Sequence, residues 1–198
     1  MALDTPSDSP WVCRWRWADR PGLEALVVSR EGDHLVAASR VLLVLEGTPL
    51  EVSYRLVYDR NWRFLRATLR ALAEGGDKAE RGLELAQSEA GEWRVNGEPR
   101  PDLEGCSDLD VMVTPFTNTP PLWRLDLAPG EARELRVAWV RFPELTVSAV
   151  RQEYRRLGEG EGEPPSRFLY RNLESGFEGE LTVDEHRLVE TYGPWRRV

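Results

Sequence analysis

Two carboxylates stand two residues apart in "CSDLDVMV", Asp108 and Asp110. On an extended strand that spacing turns both side chains toward one face. Carboxylates paired in this way can act as general acid and general base, as in glycoside hydrolysis, where their separation sets the stereochemical outcome. They can equally grip a guanidinium, and Arg124 closes the same stretch as a partner of the right charge. The ion pair is the preferred reading, sugar binding comes next and catalysis last.

The polar run between them, "TPFTNTPP", carries Thr117, Asn118 and Thr119, whose side chains satisfy backbone groups inside an irregular loop or, on a cavity rim, bond a headgroup. Glu24 lies among apolar neighbours in "GLEALVV", where burial demands a partner and raises a carboxyl pKa. Gln152 and Tyr154 share one strand face and either bond a hydroxyl-rich headgroup or face solvent. Most of the eight tryptophans belong to a core, since aromatic rings bury large areas. For Trp15, Trp17 and Trp123, all near arginines, the alternative is to line a mouth for a sugar or an acyl chain, with the core the preferred reading.

Other chemistries lack their residues. There is no GxSxG nucleophile elbow and no Walker or Rossmann glycine loop. The two histidines, His34 and His186, and the two cysteines, Cys13 and Cys106, fall in no metal-ligand spacing, so neither metal nor cofactor is expected. A net charge of -8, from 34 acids against 26 bases, argues against a nucleic-acid partner. No apolar run approaches the roughly 20 residues of a membrane span. The polar "MALDTPSDSP" lacks the basic and apolar regions of an export signal, and a cytoplasmic protein is expected.

The elements that must position these residues are strands almost throughout. Side chains alternate in "WVCRWRW", "LEALVVSR", "HLVAASRVLLVLEG" and "EVSYRLVYD", with turn signals at "DRPG", "REGD", "EGTP" and "YDRN". The pattern continues to "RLVETYGPW", with turns recurring about every 8 to 12 residues, as in an all-β sandwich, barrel or rolled sheet. "NWRFLRATLRALAEGG" fits either an amphipathic helix or a strand. The alternation of the following "RGLELAQSE" favours a hairpin joined by "AEGGDKAER". The acidic, glycine-rich 158–166 reads as a solvated loop and 1–10 as a flexible tail of one 198-residue domain. The strand "DLDVMV" is expected to end in a tight polar turn at 114–119. A short helix then begins at Pro121, with Thr119 in position to cap it, and returns Arg124 over Asp108 and Asp110.

"GCSDLDVMVTPFTNTPPLWRL" resembles the signature of the glycolipid-binding family, approximately G-C-x-D-x-D-L-x-x-T-P-x-T-N-T-L-P-I-R-R-L. The Trp-rich first strand, "YDRNW", "GEWRVNG", "WVRFPELTVSAVRQEY" and "LTVDEHRLVETYGPWRR" follow in matching order over almost the whole chain. Departures are Val111 for Leu, Pro120 for Leu, Leu122 for Ile and Trp123 for the first Arg. The resemblance implies a mainly β fold, a long antiparallel sheet rolled around a single short α-helix. This spiral β-roll is similar in outline to bacterial carriers of lipoproteins and lipids, and the resemblance also implies a homodimer. The expectation is a non-enzymatic protein binding lipid or glycolipid in the groove of the roll through Glu24, Asp108, Asp110, Thr117, Asn118, Arg124, Gln152 and Tyr154. The alternatives are a hydrolase acting on a sugar or ester through the carboxylate pair, and a dimeric structural or regulatory protein with no small ligand.

Overall fold

The computed structural model describes residue 6 and residues 9–73, 80–158 and 167–198. The 1–10 tail, the 158–166 loop and the tip of the 73–81 connection therefore lie mostly or wholly outside the described residues. Eight strands lead from the N-terminus: β1 Trp11–Trp17, β2 Gly22–Glu31, β3 His34–Leu45, β4 Thr48–Tyr58, β5 Phe64–Ala73, β6 Glu80–Gln87, β7 Trp93–Val95 and β8 Glu98–Pro99. After β9 (Asp108–Val111) and the helix α1 (Thr119–Arg124) come β10 Ala132–Arg141, β11 Thr146–Arg156, β12 Arg167–Asn172, β13 Glu178–Val183, β14 Val189–Tyr192 and β15 Trp195–Arg197.

All 15 strands form one sheet, in which β8 to β1 run in sequence, β15 follows β1, and the order descends to β9. The two ends of the chain thus meet in the middle of the sheet, where Trp15 pairs with Arg197 and Trp17 with Trp195. Every pairing is antiparallel except β9 with β10, which is parallel. The two edge strands, β8 and β9, are neighbours in sequence, and the segment joining them holds the edges close. The Cys106 carbonyl accepts from Gln87 Nε2 at 2.8 Å and Trp93 Nε1 at 3.1 Å on one side. On the other side Ser107 N donates to the Arg136 carbonyl at 2.8 Å. The sheet curls into a roll that is not closed.

Alternation accounts for the strands. In β5 Ala67, Leu69 and Ala71 point inward and Arg66, Thr68 and Arg70 outward, which settles the ambiguous segment as a strand. A register shift beside Tyr58 leaves Leu65 unopposed and turns Phe64 inward as well. On β6 Leu83 and Leu85 complete that wall of the core.

The stretch 113–122 is buried from end to end and fills the roll. A 3₁₀ turn over Phe116–Asn118 runs straight into α1, the one α-helix among the described residues. The helix begins at Thr119 rather than at Pro121, and Thr119 does not cap it. Its hydroxyl is buried without a partner among the described residues. Pro120 and Pro121 occupy the first turn, where a missing N–H leaves no hydrogen bond unmade. Phe116 and Leu122 are fully enclosed, so helix and sheet share their apolar contacts.

Candidate functional site

Arg124, at the last turn of α1, reaches back to β9. Its Nη2 donates to Asp108 Oδ1 at 2.6 Å and also to Oδ2, while Nη1 donates to the Trp62 carbonyl at 2.6 Å. The pair is well shielded, with Asp108 3% and Arg124 23% exposed at the side chain, and a charge-assisted, desolvated pair is a strong one. "YDRNW" supplies its third member. Asp59 Oδ1 accepts from Asn61 N at 2.7 Å and Arg63 N at 2.9 Å, which folds the turn and leaves Trp62 at φ 60°. A bulky residue in the left-handed region carries strain of order 1–3 kcal/mol. Here that conformation presents its carbonyl to Arg124.

Asp110 does not join this pair, although it shares the strand face. Its Oδ1 accepts from Thr117 Oγ1 at 2.8 Å and its Oδ2 from Gln152 Nε2 at 2.7 Å. The two carboxylates expected to grip Arg124 together have separate partners, because Nη2 bridges both oxygens of Asp108 and Nη1 turns to the Trp62 carbonyl. Thr117 Oγ1 also accepts from Val111 N at 3.2 Å. Asn118 Nδ2 donates to the Pro115 carbonyl at 3.0 Å, and its Oδ1 accepts from Tyr154 Oη at 2.8 Å. Gln152 and Tyr154 are thus buried and bonded inward, not on a solvated strand face. Burial raises the pKa of Asp110, opposed by the donors Thr117 and Gln152.

Glu24 is fully buried on β2. Its Oε1 accepts from Tyr54 Oη at 2.6 Å, Ser39 Oγ at 2.8 Å and Thr114 Oγ1 at 2.9 Å. Ser39 and Tyr54 are register partners on β3 and β4, so two walls of the roll and the inner loop converge on one oxygen. Oε2 has no partner among the described residues. Desolvation pushes this carboxyl up to about 7 against the pull of its three hydroxyl donors. Tyr54 is held well above the ordinary tyrosine range by the same burial and by the Glu24 charge.

Beside the motif, against the β1–β15 pair, lies a pocket of about 260 Å³. Its walls are the rings of Trp17, Trp139, Tyr170, Phe177, Tyr192 and Trp195, with Asp110, Thr114, Asn172 and Ser175 as polar members. Asp110 is level with Trp139 across the parallel pair, and its donor Gln152 is the register partner of Asn172. Gly22 admits the Trp17 wall, since a Cβ there would lie 2.9 Å from Trp17 Cγ.

Of the eight expected site residues only Asp110 reaches this pocket; the other seven form the bonded frame behind it. Trp17 lines it as expected of a mouth tryptophan. Trp15, by contrast, is buried with its Nε1 on the Val189 carbonyl at 2.8 Å, and Trp123 stacks on Trp62 at 5.7 Å. The other rings escaped sequence reading because they come from four strands and a turn that nothing local joins. The one signal was the aromatic pair bracketing a turn in "TYGPW". A larger hollow of about 410 Å³ lies beside β7 and β8, but its Arg100 is committed to Asp102 at 2.7 Å and the Val147 carbonyl at 2.8 Å.

Sheet order, inner helix and buried motif define a spiral β-roll. A family model described as "Putative glycolipid-binding" matches residues 12–197, and the chain belongs to that family. It is also similar to a DUF1089 family protein from Pseudomonas aeruginosa, known from its crystal structure. The two are 34% identical over 100% of this chain and 97% of that one, with a TM-score of 0.75. No curated protein matches the chain.

Proposed function

We propose that this protein binds the polar end of a lipid or glycolipid in the aromatic pocket and performs no chemistry on it. The pocket itself carries the reading: six rings and one half-buried carboxylate around about 260 Å³. That is slightly below the usual range for small-molecule sites, room for a headgroup and not for an acyl chain. The motif and helix occupy the interior of the roll, so the chain of the ligand lies at the surface, where Phe177 stands 49% exposed at the pocket wall. Asp110 contacts the ligand. Glu24, Asp108, Thr117, Asn118, Arg124, Gln152 and Tyr154 hold the wall in shape.

The hydrolase alternative needs two carboxyl groups open to substrate. Asp108 is committed to Arg124, and Glu24 is fully enclosed. Both cysteines are buried free thiols, which suits a reducing cytoplasm, and no helix among the described residues is long and apolar enough to cross a membrane. A homodimer belongs to the same proposal. The outer faces of β1–β4 carry the row Arg16–Leu23–Leu42–Glu51, whose members are consecutive register partners. Turned about a twofold axis along the strands, that row sets Arg16 against Glu51 and Leu23 against Leu42 of a second copy. Leu23, at 48%, and Leu42, at 54% exposed, are the apolar surface it covers.

Native mass spectrometry of protein from its own host, followed by solvent extraction, tests the reading. A stoichiometric lipid or glycolipid is expected. Protein that stays bare after incubation with added lipid overturns it.

A further inference from the structure

We infer that the pocket recognises an alkylated ammonium group, with Asp110 as counter-charge and the surrounding rings as a cage. This inference rests on reading the pocket as a headgroup site and names the chemistry of that headgroup.

Three observations converge. The first is the ring geometry. Tyr170 and Tyr192 meet at 83° with centroids 5.6 Å apart, Phe177 and Tyr192 at 86° and 6.3 Å, and Tyr170 and Phe177 at 56° and 6.1 Å. Tyr192 stands nearly square to both Tyr170 and Phe177, which tilt toward each other, so the three form the corner of a box that Trp17 and Trp139 extend. Such boxes hold tetraalkylammonium ions, whose diffuse charge is drawn to the negative ring faces.

The second is the charge of Asp110. Its neighbour on the same strand face, Asp108, is neutralised by Arg124, whose Nη2 reaches both of its oxygens. Asp110 is bonded to neutral donors, the Thr117 and Gln152 side chains and the Val111 backbone, and no arginine or lysine among the described residues pairs with it. A partly buried carboxylate without a countercation, beside an aromatic corner, attracts a cation that the low local dielectric does little to screen.

The third is what the pocket does not offer. Thr114 gives its proton to Glu24 at 2.9 Å, Asn172 Oδ1 already accepts from Glu174 N at 3.1 Å and Ser175 N at 2.9 Å, and Ser175 Oγ accepts from Phe177 N at 3.3 Å. Beyond Asp110 these acceptors are engaged, and the buried Trp17 Nε1 is left as a spare donor among the described residues. A sugar ring brings several hydroxyls, each needing a partner on burial. An N-methylated ammonium brings none, and an overall charge of -8 favours its approach.

The test is calorimetric titration of the intact protein with tetramethylammonium, choline and methyl glucoside, then with dodecylphosphocholine and dodecyl maltoside below their micelle concentrations. Saturable binding of tetramethylammonium and choline, without binding of methyl glucoside, is expected. Asp110→Asn and Tyr192→Leu should each weaken it about tenfold. Asp110 also serves the fold, so Phe177→Ser, at a half-exposed wall, gives a second variant with the same expected direction. Equal affinity for choline and dodecylphosphocholine identifies a small free quaternary ammonium compound as the ligand. Tighter binding of dodecylphosphocholine than of choline identifies a lipid, whereas binding of dodecylphosphocholine without choline or tetramethylammonium overturns the cage. Binding of the glucoside or the maltoside without the ammonium compounds overturns the cage and leaves the headgroup reading standing. If every probe fails and no lipid co-purifies, both fall.

Discussion

Thr114 of the buried motif donates its hydroxyl to Glu24 on the wall of the roll at 2.9 Å, across 90 positions of sequence. Thr114 Oγ1 also accepts from Phe116 N at 3.1 Å and lines the pocket. One hydroxyl therefore joins the inner turn, a buried acid and the candidate site.

That acid makes stability depend on pH. Glu24 rises from 4.5 to about 7 on folding, so the folded chain binds its proton more tightly than the unfolded one. The resulting stability is fully present below pH 4.5 and is lost as pH climbs through 7. Glu24→Gln keeps the size and the acceptor oxygen but cannot ionise. In urea titrations the variant should gain about 3 kcal/mol on the parent between pH 4.5 and 8. Parallel pH profiles for the two proteins would refute the account.

Arg124→Ala should destabilise the fold by about 3–5 kcal/mol, because it strands the Asp108 charge inside the roll. The double variant Asp108→Asn/Arg124→Ala should lose less than the single one. A double-mutant cycle read by thermal unfolding checks both, and an unchanged melting curve for Arg124→Ala counts against the pair as a structural pin.

Gly22→Ala tests the Trp17 wall. The added methyl lies 2.9 Å from Trp17 Cγ, close to that side chain's own attachment, so the ring cannot swing aside cheaply. A cost of about 1–3 kcal/mol is expected, with an altered tryptophan emission and weaker binding of whatever ligand occupies the pocket. Emission and affinity like the parent's would show that the wall is not set by this glycine.

Leu42→Glu tests the dimer surface. It places a second acid beside Glu51 in the proposed interface and should give a monomer in sedimentation velocity, with the melting point of the monomer unchanged. A persisting dimer would exclude this face.

Much of the fold was legible in the sequence, because period-two alternation is a local property. Leu26, Val28, Val41, Leu69 and Leu83 declare their inward face by spacing alone. The 106–125 stretch was legible as a strand, a turn and a helix carrying an arginine back to an aspartate. The start of the helix was misplaced by two residues, since the prolines that exclude a helix interior are welcome in a first turn that a 3₁₀ segment feeds.

The fates of Asp108 and Asp110 could not be read, for they share a face, a strand and a chemical type. Only the approach of Arg124 from one side and of Gln152 from β11 distinguishes them. The same holds for the pocket. Trp17 and Trp195 meet because the two ends of the chain pair in the middle of the sheet, and Trp139 joins them through a parallel strand pair. The sequence by itself determined which residues face inward, since that follows from backbone geometry between neighbours. Which inward residues face one another was decided by the tertiary structure, because strand order and curl depend on contacts that no local window contains.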